Sequence, residues 1–183
     1  MDKSKTFRYL SAASSATSLL LLFIAKKGDT MGSSFDVAIK ITLKNEGGYC
    51  CNTADPGGET NFGLSKRSYP NLDIKHLTVE QATEIYRRDF WKFDGINDQA
   101  LANKIFDVHV NLGAMAFRVL QRTLSMPLDD TYNPKVEAAV NISEPISLLA
   151  HYKAELASHY RWVAQQNPKE AIFLPNWLRR AAQ

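Results

Sequence analysis

The sequence predicts an all-α protein, mostly helical, with at most a tiny β-hairpin. Apolar residues recur at helical spacing in one stretch after another, whereas the alternating pattern of strands is nearly absent. Helix-start signals support this: Thr78 and Gln81 form a capping-box pair, and Asn133 precedes Pro134 as N-cap and first-turn residue. Strand pairing is expected only in the turn-rich segment around Asn61 to Leu64.

Length and composition indicate one soluble globular domain plus a short appendage. The chain has 183 residues, of which 45% are hydrophobic and 22% charged, enough for a sizeable core. The net charge of +3 favours an anionic cell wall or membrane surface. That charge is too small to indicate nucleic acid, and the chain has no long Lys/Arg run, so we expect no nucleic-acid partner.

The appendage is the N-terminal segment, residues 1–32. Residues 9–25 carry no charge, residues 19–24 are a solid apolar run, and basic residues stand on both sides. A helix of those seventeen residues would span only about 25 Å, slightly short of a bilayer core. The basic N-terminus predicts that the remainder of the chain is exported. The globular domain is expected over residues 33–183, with Ser33 and Asp36 as its first helix-start signal.

The stretch from Lys44 to Ser65 contains the candidate catalytic residues. A helical pattern brings Glu46 to its apolar face at the last turn, and the two glycines that follow end the helix. Turn residues then surround Asp55 and Thr60. Eight residues separate Glu46 from Asp55, and four separate Asp55 from Thr60. Glycoside hydrolysis needs two carboxyl groups, one to protonate the leaving oxygen and one on the other face of the sugar.

Further helices are predicted over residues 78–91, 99–112, 114–124, 133–141 and 146–166. Aromatic residues of the first of these are expected in the core, with sugar stacking on Trp91 as the alternative. His109 sits among apolar neighbours and is expected to be a core histidine. His151 and His159 lie two helical turns apart, too far to chelate one metal alone, so no metal is inferred.

The two cysteines are neighbours, Cys50 and Cys51, so the sequence has no disulfide framework. Two free, semi-buried thiols are expected. The alternative is a strained bond between them that gates activity, because adjacent α-carbons lie closer together than ordinary disulfide geometry prefers.

Two segments, KNEGGY and DPGGETNFGLSKRSYP, resemble glycoside hydrolase family 108, a family of phage endolysins and secretion muramidases with a lysozyme-like fold. The segment FDVHVNLG is similar to the family's FD-x-x-VN-x-G helix, and the resemblance extends over about residues 35–180. It implies hydrolysis of the β-1,4 bond between N-acetylmuramic acid and N-acetylglucosamine in peptidoglycan, which causes bacterial lysis. It implies no cofactor, and the chain is expected to act as a monomer.

The resemblance also implies residue roles. Glu46 is the expected general acid, while Asp55 stabilises developing positive charge or acts as base towards water. Thr60 would orient that water, although phage-type lysozymes usually have one more residue between the aspartate and the threonine. Tyr49, Asn61 and Asn111 are expected to shape the sugar subsites. Inversion and retention both remain open.

The C-terminal region, about residues 145–183, resembles a peptidoglycan-binding region with a Phe…Trp-Leu-x-Arg pattern. This makes Phe173, Trp177 and Arg179 candidate wall contacts. The alternative is that the last short helix docks on the core through Trp177.

The N-terminal segment is similar to the signal-arrest-release segment of certain phage endolysins. The resemblance implies an uncleaved segment tethered at the inner membrane and later released to the periplasm of a Gram-negative host. An ordinary anchor or signal peptide is the alternative. The function has three alternative interpretations: a lytic transglycosylase, a secretion-associated muramidase and a non-catalytic wall-binding protein.

Overall fold

The computed structural model describes residues 32–51 and 58–183. Helices dominate the described residues, and three strands of two or three residues form a small antiparallel sheet. The mostly α fold class predicted from the sequence is therefore confirmed. The elements are α1 Phe35–Glu46, β1 Cys50–Cys51, β2 Glu59–Asn61, β3 Leu64–Ser65, α2 Val79–Asp89, α3 Gln99–Leu112, α4 Met115–Thr123, α5 Pro134–Ile142, α6 Pro145–Gln166, a 3₁₀ turn Ala171–Phe173 and α7 Leu174–Ala182.

Two predictions fall outside the described residues: the membrane-targeting stretch at residues 9–25 and the catalytic role of Asp55. Among the helices of residues 32–51 and 58–183, none is long and apolar enough to cross a membrane.

Helix α1 follows the predicted pattern, with Phe35 and Ile39 buried and Gly47 at its end in a positive-φ conformation. The predicted start at Ser33 is wrong by one residue, because Ser34 occupies the N-cap position. The Ser33 hydroxyl instead donates to the carbonyl of Phe93, and this buried bond joins the start of the helix to the chain before α3.

The small sheet has the order β1-β2-β3. Asn61 pairs with Leu64, which confirms the short pairing predicted there, and Cys50 pairs with Thr60. Both cysteines are free thiols and exposed, so their predicted semi-burial is wrong. The reason is that β1 lies at the edge of the sheet, where one side of the strand faces solvent. Successive side chains of a strand point to opposite faces, which keeps the two thiols apart.

The core is built around α3, which has the predicted bounds and buries Leu101, Ile105 and Phe106. Trp91 packs edge-on against Phe106 and Phe35 at ring-centroid distances of 5.4 and 5.5 Å. Its position supports the predicted core role. The capping box of α2 and the Asn133 cap of α5 form as predicted, although α2 ends at Asp89, two residues early.

Helix α7 docks on α6 through an aromatic stack. The rings of Trp177 and Tyr160 lie 5.6 Å apart and are inclined by 27°. Ala181 is buried beside them, and the Lys153 ammonium donates to the carbonyls of Ala182 and Gln183. Docking through Trp177 is therefore the alternative that the structure favours, and it brings the last turn of α7 to the end of α1.

Candidate active site

Glu46 forms an ion pair with Arg180, which is 134 residues further along the chain. The Nη2 atom of Arg180 lies 2.5 Å from Oε1 of Glu46, and their side chains are 17% and 16% exposed. The pair joins the last turn of α1 to α7. Glu46 thus occupies the end of an amphipathic helix, as the sequence predicts, with one carboxylate oxygen fixed by a charged donor.

Arg180 also binds Asp107 of α3. Its Nη2 and Nε atoms lie 3.0 and 3.2 Å from the two carboxylate oxygens, and Asp107 is only 3% exposed. The side-chain amide of Asn45 donates to the same carboxylate at 3.1 Å. Burial disfavours the charged form of Arg180, but the carboxylates of Asp107 and Glu46 outweigh burial and raise its pKa. We call Asn45, Glu46, Asp107 and Arg180 the Arg180 cluster.

The other side of Glu46 faces the turn between β2 and β3. An ideal Cβ atom added at Gly63 would lie 2.6 Å from Oε2 of Glu46 and 2.7 Å from the Tyr86 hydroxyl. That hydroxyl donates to the carbonyl of Phe62 at 2.8 Å. Burial, together with the charge of Glu46, raises the pKa of Tyr86. Tyr86 therefore stays a neutral donor that holds this turn against the carboxylate.

Both residues of that turn have positive φ, +50° at Phe62 and +78° at Gly63. This is the conformation of tight hairpin turns that match the twist of their strands. Because Glu46 fills the space where a side chain would stand, the second turn position requires glycine for sterics as well as for backbone conformation.

A groove of about 390 Å³ adjoins the Arg180 cluster. Asn45 and Arg180 of the cluster line it, together with four predicted binding residues: Asn111, Phe173, Trp177 and Arg179. Asn111 is exposed, and its Oδ1 atom accepts from the Tyr160 hydroxyl at 2.8 Å, which orients its amide group. The structure thus brings Asn111 and Trp177 to one surface beside Glu46.

The remaining predicted residues belong to the sheet segment. Tyr49 is 43% exposed and donates to Glu59 at 3.0 Å, while Thr60 is half-buried in β2. Asn61 is only 5% exposed, and its amide donates to the carbonyls of Ile74 and Leu77. This geometry favours a structural role for Asn61, because its donors hold the sheet to the following loop and are turned away from solvent.

Sequence reasoning selected Arg179, which is exposed and donates to Asn176 at 3.0 Å. It missed the neighbouring Arg180, which is the arginine on which the Trp-Leu-x-Arg pattern falls. The signal was present in the sequence. Trp177 and Ala181 are four residues apart and face the core, and Arg180 lies three residues after Trp177 on the same side. Arg180, the second of the two arginines, is therefore the one that can reach a buried carboxylate.

Lys104 is a further buried cation beside the cluster. It is 6% exposed, and its ammonium donates to the carbonyl of Arg180 at 2.5 Å. Burial lowers its pKa to about 8, against the opposing attraction of Asp107.

Residues 39–113 match the model of the family Glycosyl hydrolase 108. The matched stretch includes Glu46, Asp107 and Asn111, and it ends before Trp177 and Arg180. No curated protein matches the sequence. Among solved structures, SagA from Brucella abortus is similar, with 24% sequence identity over 81% of this chain and 89% of that chain, and a TM-score of 0.67. This likeness concerns the fold, and the predicted mostly α, lysozyme-like fold is confirmed.

We predict that Gly63→Ala lowers the free energy of unfolding more than Gly58→Ala does. Both glycines have positive φ, +78° and +69°, so each alanine adds backbone strain, which is about 1–2 kcal/mol for a left-handed residue. Only the new methyl group at residue 63 overlaps Glu46 and Tyr86; no atom of the described residues lies within 4 Å of a Cβ at Gly58. Chemical denaturation of the two variants measures the difference, and equal losses would contradict the packing of Gly63 on Glu46.

We also predict a pH-dependent contribution of Lys104 to stability. Its pKa is about 8 in the folded protein and 10.5 for the ordinary side chain, so between these values the unfolded chain binds more protons. Stability from this residue therefore rises with pH across that window, by about 1–3 kcal/mol. Denaturation of the wild type and of Lys104→Met at several pH values checks this. The free energy of unfolding of the wild type should rise relative to that of the variant from pH 8 upward. A difference between the two proteins that stays constant or falls with pH would contradict the prediction.

Proposed function

We propose that the protein is a peptidoglycan hydrolase that cleaves the β-1,4 bond between N-acetylmuramic acid and N-acetylglucosamine. The match of residues 39–113 to a glycosyl hydrolase family model supports a glycosidase. The observation that carries the proposal is the position of Glu46. It lies at the end of an amphipathic helix within the matched stretch, and its partner Arg180 lines a groove.

Glu46 is the proposed general acid. Arg180 binds Oε1, while Oε2 faces the Gly63 turn, so the carboxyl group is held in one orientation. In its protonated form, a carboxyl group held in a fixed orientation can pass its proton to the glycosidic oxygen as the bond to the anomeric carbon breaks. A water molecule then adds to that carbon and loses its proton. Arg180 contacts Glu46, and Asp107 contacts Arg180, so both act as positioning residues.

The partners of Glu46 in this mechanism rest on the sequence resemblance. Asp55 is proposed to stabilise the positive charge that develops on the sugar or to act as base towards water, with Thr60 orienting that water. Trp177 and Asn111 are proposed to contact the sugar rings, because both line the groove next to the Arg180 cluster. Tyr49 is proposed as a further contact, and its exposure of 43% supports this.

The test is mass spectrometry of purified peptidoglycan digested by the full-length protein and by Glu46→Gln. We expect reducing muramic ends from the wild type and none from the variant, in which an amide keeps the contact with Arg180 but cannot donate an acidic proton. Anhydro ends would instead indicate a lytic transglycosylase. No cleavage by either protein, with binding retained, would indicate a wall-binding protein.

We further propose that the protein is an exported endolysin whose N-terminal segment tethers it at the inner membrane until release. The uncharged stretch at residues 9–25 between basic flanks supports this proposal. Fractionation of cells that express the full-length protein should find it in the membrane fraction before depolarisation and in the periplasm afterwards. Recovery from the cytosol in both states would contradict the proposal.

A further inference from the structure

A second groove lies between helices α4 and α6. It has a volume of about 370 Å³ and is lined by Met115, Arg118, Arg122, Ser158, His159 and Trp162. None of these residues lines the groove beside the Arg180 cluster. The two grooves also use different sides of α6, because Tyr160 meets Trp177 while Trp162, two residues further on, is turned by about 200° around the helix.

Trp162 presents an aromatic surface to solvent in this groove. Its side chain is 57% exposed, although burial is the usual position for so large an apolar ring. The His159 ring stacks on it, with centroids 6.2 Å apart and planes inclined by 24°. Burial, assisted by the charge of Arg122, lowers the pKa of His159, so the imidazole is neutral at neutral pH. The indole is thus supported in the groove by an uncharged partner.

Two exposed ion pairs supply polar groups at the groove. Arg118 lies 2.5 Å from Asp130, and Arg122 lies 3.8 Å from Glu155. A guanidinium group has five N–H donors, so each pair leaves donors for a ligand. The distance between Arg122 and Glu155 is too long for a hydrogen bond, which leaves the carboxylate oxygens of Glu155, next to the residues that line the groove, as acceptors as well.

These features select an uncharged ligand with both apolar and hydroxyl surfaces. The two arginines are matched by two carboxylates, so the groove carries no excess charge to attract an anion. Four of its six lining residues are polar, unlike the wide apolar patches that bind proteins. A sugar ring has an apolar face that stacks on an indole and hydroxyl groups at its edge that meet arginine and carboxylate. The volume lies within the usual range for small-ligand sites.

We propose that the groove between α4 and α6 is a second binding site for the glycan strand of peptidoglycan, with Trp162 as the stacking platform and Arg118 and Arg122 as donors. The identity of the polymer rests on the proposed function. The site holds the enzyme on the insoluble wall while the groove beside Glu46 receives the bond to be cut.

The test measures binding to insoluble peptidoglycan by the full-length protein carrying Glu46→Gln, so that the wall is not digested. Adding Trp162→Ala should weaken binding about tenfold, and Trp162→Phe should restore most of it, because phenylalanine keeps an aromatic face. Arg122→Gln should weaken binding to a smaller extent. Two matched controls lie on α6 outside the groove, Ile146→Ala at a residue 80% exposed and Arg161→Gln, and neither should change binding.

A second measurement uses the protein with Glu46 intact. Trp162→Ala should slow release of fragments from insoluble peptidoglycan and leave cleavage of short soluble glycan fragments unchanged. Equal binding by the Trp162→Ala and Ile146→Ala proteins would overturn the second site, as would equal weakening by Arg122→Gln and Arg161→Gln. If no variant cleaves peptidoglycan but binding still depends on Trp162, the cleavage proposal fails and the second site stands.

Discussion

The structure depends on a balance between two negative and two positive side chains that are mostly buried. Glu46 and Asp107 bring two negative charges into a region where their side chains are 16% and 4% exposed. Arg180 binds both, and Lys104 adds a second positive charge next to the carbonyl of Arg180. Removing one member of such a group leaves an uncompensated buried charge, which costs about 3–5 kcal/mol. The four charges therefore stabilise the fold as a balanced set, and removing an opposite pair leaves less imbalance than removing one of them.

This balance explains why the C-terminal helix belongs to the site. Its last turn carries Arg180, and the helix is fixed by the Trp177–Tyr160 stack and by Lys153 at the chain end. The first helix brings Glu46, and the central helix brings Asp107, so three elements far apart in sequence meet at one guanidinium group. The turn that contains Gly63 packs against the other side of the Glu46 carboxylate. The orientation of the Glu46 carboxyl group therefore depends on the folding of the whole domain.

Sequence reasoning predicted those features that depend on nearby residues. The glycines after Glu46, the capping box at Thr78 and the bounds of α3 all follow from local pattern, and the structure reproduces them. Docking of the last helix through Trp177 was the alternative to its predicted role as a wall contact, and Tyr160 provides the partner ring for that docking.

Features that depend on distant partners could not be predicted in the same way. The contact between Arg180 and Glu46 spans 134 residues, and the choice between two adjacent arginines needs the direction from which α7 docks. The family resemblance implied a sugar contact for Asn61, whereas in the structure its amide donates to the carbonyls of residues 74 and 77. The hydroxyl of Ser33 donates to a carbonyl 60 residues away and does not cap the helix that follows it.

The central claim is that Arg180 positions Glu46 for cleavage, and the most direct measurement compares two full-length variants on peptidoglycan. One carries Asp107→Asn with Arg180→Gln, which removes the guanidinium group without leaving a buried aspartate charge. The other carries Arg161→Gln, at an exposed arginine of α6 that lines neither groove. With both shown to be folded by thermal unfolding, the account predicts that the first variant releases reducing ends about a hundredfold more slowly than the wild type. The Arg161→Gln protein should retain its rate of bond cleavage. Equal rates in the two variants would contradict the claim that the ion pair between α1 and α7 organises the site.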